Sequence, residues 1–307
     1  MNAKAITPSQ IVMIRPHHFM SNPDTLADNA FQVAAGGQQL SLLAYQQVSA
    51  AADALSAAGI TVHLFDDTGT TTPDSVFPNN WFSTHCSGEL VTYPMYVPNR
   101  RLEVRSDITD FIKAQYQVSR QLDFTGEAAQ GRFLEGTGSM VLDQQAGIAY
   151  AVASKRTDAA LFNQCCQALA LQPVLFDARD ATGQPVYHTN VLMCVAEHFV
   201  LIGLDMVPQT QHAMLLAHFA ASGKTVIRLT EQQITQFCGN AIELKGKNGN
   251  LLALSTTAFT ALTTEQKAQI EQSAKLLPLD VSSIESAGGS LRCMIAGLHL
   301  QPRQKPA

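Results

Sequence analysis

The sequence predicts an α/β fold built from five like units strung along one chain, and three observations predict it. Apolar, β-branched runs alternate with alanine-rich amphipathic stretches of about three turns or more. Short polar motifs stand just ahead of one apolar run in each block. The motif markers Asn80, Glu135, His188, Asn240 and Cys293 follow one another at 55, 53, 52 and 53 residues. So constant a step marks an internal repeat, although the blocks share almost no letters.

Strands are expected at Ile11–Ile14, Ile60–Phe65, Gly147–Ala153, Pro173–Phe176, Val191–Val195, Phe199–Gly203, Thr225–Leu229, Ala241–Leu244 and Leu251–Leu254. Helices are expected at Gln39–Ala58, Asp158–Leu171, Gln209–Ser222 and Thr263–Leu276. Gly59 and Gly223 sit just past two of these, where a helix ends on a glycine. Glu197 and His198 mark a hairpin turn. No low-complexity linker divides the chain, so residues 1–307 read as one catalytic domain. If the five units close into a ring, the motifs converge on one axis, and residues a hundred positions apart share a pocket.

Composition narrows the function. Apolar residues make up 46% of the 307, and charged residues 15%, well under the usual quarter or so, which describes a chain able to bury a large core. The net charge is −5 and no basic cluster exceeds Arg100–Arg101, so a nucleic-acid footprint is absent. The six cysteines show neither a CxxC pair nor zinc-ligand spacing. Met1–Gln10 lacks the apolar run of a leader. The apolar stretch Val191–Val207 is broken by Glu197, His198 and Asp205, so no membrane span is expected. A cytoplasmic protein with reduced thiols follows.

Cys293 lies in Gly288-Gly289-Ser290-Leu291-Arg292-Cys293. Two glycines ahead of a cysteine allow a tight turn and a close approach to a ligand, and the thiolate is the reactive form. The commoner fate of a cysteine is to be a small buried hydrophobe. Cys194 and Cys238 are rivals without a glycine pair in front, and Cys165 and Cys166 read as helix core. His188, at the mouth of a strand, can hand a proton to a departing amine and later take one from water. Alone, it would as readily be an ordinary hydrogen-bonded histidine. Glu135, between Phe133-Leu134 and Gly136-Thr137-Gly138, is not the usual solvated glutamate and can pair with a guanidinium or orient the histidine. Asn79 and Asn80, and likewise Asn22 and Asn29, can simply be turn formers.

Together FPNNW (Phe77–Trp81), FLEGTGS (Phe133–Ser139), YHTN (Tyr187–Asn190), CGN (Cys238–Asn240) and GGSLRC (Gly288–Cys293) resemble the motifs of the guanidine-modifying (amidinotransferase) superfamily. That superfamily includes arginine deiminase, dimethylarginine dimethylaminohydrolase and succinylarginine dihydrolase. The resemblance spans roughly residues 10 to 302. It implies a five-bladed α/β-propeller, the pentein fold, with Cys293 as nucleophile, His188 as acid/base and Glu135 as guiding carboxylate. Ile14-Arg15-Pro16, Asn22-Pro23, Phe77–Trp81 and Leu134-Glu135-Gly136 look like a bacterial branch tied to citrulline or arginine utilisation.

Deiminases carry aspartates where this chain has Asn80 and Asn190. An asparagine can donate to a carbonyl oxygen and accept from an NH2, which suits a neutral ureido group better than a guanidinium. The reading is therefore a hydrolase taking citrulline, or arginine in two passes, to ornithine with release of ammonia and carbon dioxide. Asn80, Asn190, Asn22 and Arg292 would bind the substrate, and Arg15 and Asn240 are further candidates for gripping its amino-acid end. No metal or organic cofactor is required, the partner is a small molecule, and the relatives imply a homodimer. The competing readings are an arginine or agmatine deiminase, an amidinotransferase, and a pentein that only binds.

Overall fold

A computed structural model describes residues 7–26 and 29–304 of the chain. Part of the Met1–Gln10 stretch read above therefore lies outside the described residues. The chain opens with β1 (Gln10–Pro16) and β2 (Thr61–Asp67), then β3 (Phe82–Thr84), β4 (Glu89–Thr92) and β5 (Arg120–Asp123). It continues through β6 (Met140–Asp143), β7 (Ile148–Val152) and β8 (Gln172–Phe176), and then β9 (Met193–Val195), β10 (Phe199–Ile202) and β11 (Thr225–Arg228). Last come β12 (Ile242–Gly246), β13 (Gly249–Ser255), β14 (Lys275–Leu279) and the short β15 (Ala296–Gly297).

These strands form five sheets of three, all to one plan. A short strand following a motif pairs antiparallel with a middle strand, and the middle strand pairs parallel with a third. Antiparallel neighbours need only a hairpin, but parallel neighbours need a crossover, and the helices supply it. Gln38–Ala57 links β1 to β2, Ser106–Gln115 links β4 to β5, Ala159–Ala168 links β7 to β8, and Gln209–Ala221 links β10 to β11. The sheet of β1 takes its motif strand from the other end of the sequence: β15 pairs antiparallel with β1, Val12 facing Ala296.

Sequence accounts for most of this. β7 and β10 are buried along their whole length, as continuous apolar runs require when both faces of a strand are covered. Ala44, Val48, Ala51 and Leu55 make the buried stripe of the first helix, packed with Ile11 and Met13. Asp158 caps its helix by accepting from the Leu161 N–H, and Thr263 and Gln266 form a reciprocal capping box. Gly59 and Gly223 adopt positive φ just past their helices.

Some expectations need correction. The helix expected at Thr263–Leu276 stops at Ile270, and Lys275–Leu279 is a strand. Leu276 and Leu277 continue the apolar pattern, but they pair with β13 instead. Val191 and Leu192 belong to a helical turn, Thr189–Leu192, so the expected strand shrinks to Met193–Val195. Strands β3 to β6, β14 and β15, and the helix Ser106–Gln115, went unanticipated. Most of the strands are four residues or fewer, too short to show a period.

The motifs themselves are not strand openings but single helical turns ahead of the strands: Pro78–Asn80, Gly136–Ser139, Thr189–Leu192 and Leu291–Met294. Motif strands lie beside one another, β15 against β3, β6 against β9, and β9 against β12.

Candidate active site

Glu135 is fully buried at the start of the turn Gly136–Ser139. Its Oε1 accepts from the Tyr96 N–H at 2.8 Å, and its Oε2 lies 2.7 Å from His188 Nε2 and 3.4 Å from an Arg156 nitrogen. Arg100 stands 3.7 Å away. Burial pushes this carboxyl up, but the Arg156 charge, the His188 bond and Arg100 together outweigh it and hold Glu135 below the usual carboxylate range. An ionised Glu135 requires the hydrogen on His188 Nε2, which leaves Nδ1 as the ring's acceptor. Burial drives the imidazole down to about 4, with Glu135 opposing, so His188 rests neutral. Gly138 permits this packing: a Cβ there would stand 2.9 Å from His188 Cε1 and Nδ1.

Cys293 follows a turn that needs glycine. Gly288 has φ +77°, and a side chain there would strike Asn29. The Tyr187 hydroxyl donates to the Gly288 carbonyl and anchors that turn. The Cys293 thiol is 2% exposed and meets amides: Asn240 Nδ2 at 3.3 Å and Asn190 Nδ2 at 3.5 Å. Asn79 donates to the Cys293 carbonyl.

Cys293 and His188 line one small cavity of ≈ 10 Å³, together with Asn80, Asp74, Arg100 and Arg156. That volume is about the room of one water molecule. Asn80, turned so that its oxygen faces the guanidinium, accepts from both Arg100 terminal nitrogens at 3.0 Å. Asp74 offers the cavity an unoccupied acceptor: Oδ2 takes Asn22 Nδ2 at 2.9 Å, while Oδ1 has no partner. Burial raises the Asp74 carboxyl, with Arg100 and then Asn22 opposing.

The structure thus brings Glu135, His188, Cys293, Asn80 and Asn190 together. Asn22 reaches the cluster through Asp74. Arg292 does not line this cavity; its side chain lines a second one with Cys194, Glu243 and Lys224. Arg15 is engaged elsewhere, in an ion pair with Asp66 at 2.7 Å. Asp74, Arg100, Arg156 and Asn29 were not singled out from the sequence as site residues, yet all four line the cavity. Nothing in their local letters distinguishes them from solvated charges and loop polars. Among the described residues no group of three His, Cys, Asp or Glu side chains is placed to hold a metal ion.

A family model described as N,N dimethylarginine dimethylhydrolase, eukaryotic, matches residues 15–300. The chain belongs to this family. It is therefore a member of the guanidine-modifying pentein superfamily and a hydrolase acting on carbon–nitrogen bonds. No curated protein matches the sequence. Among solved structures, the N-terminal domain of ArgZ bound to product, an arginine dihydrolase of the ornithine–ammonia cycle in cyanobacteria, is similar with a TM-score of 0.72 at 15% identity, over 94% of this chain and 97% of that one. Unliganded AgrE gives a TM-score of 0.76 at 14% identity, over 96% of this chain but 40% of AgrE. A dimethylarginine dimethylaminohydrolase adduct with S-methyl-L-thiocitrulline gives 0.65 at 15% identity, over 95% and 100% of the two chains. At such identities the likeness is one of fold. Among the described residues no helix is long and apolar enough to cross a membrane.

Proposed function

We propose that this chain hydrolyses the ureido group of citrulline, or the guanidino group of arginine in two passes, to ornithine, ammonia and carbon dioxide, through a covalent bond to Cys293. The observation that carries the reading is the company of the sulfur. Asn80 lines the cavity beside it, and the Asn190 amide lies 3.5 Å from it. An amide can donate to a carbonyl oxygen and accept from an NH2, whereas a guanidinium offers donors only and favours carboxylates. The family's name and the ArgZ product complex support an arginine-derived substrate. The reading takes the five sheets as blades of a single pentein propeller, closed where β15 joins β1, and places the enzyme in the cytoplasm, where its thiol stays reduced.

The chemistry we propose has two halves. Neutral His188 takes the Cys293 proton at Nδ1 as the sulfur adds to the ureido carbon. The same proton passes to the departing nitrogen, and ornithine's side-chain amine leaves behind an S-carbamoyl cysteine. Water then attacks that carbon and gives its proton to His188. The sulfur departs, takes the proton back, and releases carbamate, which falls apart to ammonia and carbon dioxide. Glu135 holds the imidazole tautomer and stabilises its charged form.

The test is incubation with citrulline, arginine, agmatine and N,N-dimethylarginine, following ornithine, citrulline, ammonia and dimethylamine. Ornithine and ammonia from citrulline is the expected result. Citrulline accumulating from arginine without ornithine would make the chain a deiminase, and dimethylamine as the main product would return it to the activity its family is named for.

A further inference from the structure

Three buried amides form a chain behind the sulfur, and its direction is set by the backbone. Asn240 Oδ1 accepts from the Arg292 N–H at 3.1 Å, so Nδ2 is the atom turned the other way. One of its hydrogens goes to the Asn190 carbonyl at 2.8 Å, and the other points at Cys293 Sγ, 3.3 Å distant. Asn190 Nδ2 stands 3.5 Å from the same sulfur and 3.3 Å from Asn79 Oδ1, which also accepts from Thr137. Asn79, Asn190 and Asn240 are each at most 1% exposed. A neutral thiol accepts hydrogen bonds poorly, and a sulfur bearing charge accepts them well. Two buried N–H groups are thus placed against one sulfur, where they meet negative charge that develops on it.

We propose that Asn240, aided by Asn190, is a catalytic residue: its Nδ2–H donates to the Cys293 sulfur while that atom carries negative charge, as it attacks and again as it leaves. The inference rests on Cys293 being the nucleophile. It assigns the Cys238-Gly239-Asn240 motif a chemical task, and it explains why an amide stands there. An aspartate would accept from the Arg292 N–H equally well but would turn an oxygen, not a donor, toward the sulfur. Gly239 leaves the space, since a Cβ at that position would press on the Val191 and Leu192 backbone.

The experiment uses the intact chain. Iodoacetamide labelling of Cys293 is timed by peptide mass spectrometry at neutral pH, with the partly buried Cys86 as internal reference, beside kcat for citrulline. Asn240→Ala is expected to slow Cys293 labelling and kcat about tenfold, and the isosteric Asn240→Asp by more, with Cys86 unchanged. A purely structural Asn240 predicts the reverse order, because aspartate keeps the shape and the bond to Arg292; an Asp variant matching wild type would overturn the proposal. If Asn240→Asp does not fold, Asn240→Ser, which restores a donor, should recover part of the rate lost in Asn240→Ala, and equal rates for the two overturn it. Should reagent fail to reach Cys293, the same orderings are read from kcat. A Cys293→Ala chain that keeps full turnover would instead bring down the nucleophile reading itself.

Discussion

At one end of the motif strands, Cys293, His188 and Asn80 face a cavity of ≈ 10 Å³. At the other, Cys194, Arg292, Lys224 and Glu243 face one of ≈ 100 Å³, lined by residues of all five motif strands. Both ends hold a buried thiol and buried charges, and the two buried histidines, His188 in the first cavity and His85 just past β3, are alike in their titration. Burial drives His85 and His188 alike down to about 4. The difference lies in their partners. His85 Nε2 meets the Ser83 hydroxyl at 2.8 Å, whereas His188 Nε2 meets a carboxylate that arginines keep ionised. Cys194 is pushed up to about 12 by burial, with Glu243 adding to it. A perturbed group is common wherever a core is dense, and what marks the first end is a thiol, an imidazole and an ionised carboxylate gathered in one place.

That contrast can be broken most decisively at Cys293. Cys293→Ala should cut turnover by on the order of 10⁴-fold or more, whereas Cys194→Ala should leave it within a few-fold; steady-state assays on both test it. Glu135→Gln should cost about 10²- to 10³-fold in kcat, since the imidazole loses the anion that balances its charge. An unchanged rate would make Glu135 a structural residue. At the opposite end, Lys224 Nζ lies 3.3 Å from Asp143 Oδ2, both side chains at most 2% exposed. Lys224→Met should cost about 3–5 kcal/mol in denaturant unfolding because it strands a buried charge, while the folded fraction keeps its activity. Asn80→Asp should move the ratio of kcat/KM for arginine over citrulline upward by about tenfold, and an unmoved ratio would remove the amide argument.

The smallest effect is one of pH. A histidine whose folded value is about 4 binds its proton later than in the unfolded chain, where it titrates near 6.5. Its stability contribution is thus whole above about pH 6.5 and is lost as pH falls toward 4, at up to about 1.4 kcal/mol per pH unit. His85→Gln should flatten that decline in melting curves taken from pH 7 to 4, leaving turnover near wild type.

The repeat was legible because it rests on spacing, and β1, β2, β7, β8, β10, β11, β12 and β13 were legible because their apolar runs are long or strongly β-branched. Strands such as Phe82–Thr84 and Ala296–Gly297 carry too few residues to differ from loop, and only their partners make them strands. In the site, the meeting of Glu135, His188 and Cys293 followed from the equal steps. Arg292 illustrates the limit. It is the neighbour of Cys293, yet one residue of backbone turn sends its side chain to the other cavity. Arg100 and Arg156 look like surface cations until Glu103, Glu135 and Asn80 are folded around them. A buried ion network is a property of the assembled chain, and no short window of letters contains it.

The pairing of β15 with β1 also has a bearing on timing during synthesis. The sheet of β1 and β2 must wait, one edge uncovered, for a strand made more than 270 residues later. The thiol emerges just before that strand. A growing chain therefore carries Glu135 and His188 well before Cys293, and the cluster is complete only once that residue has been made.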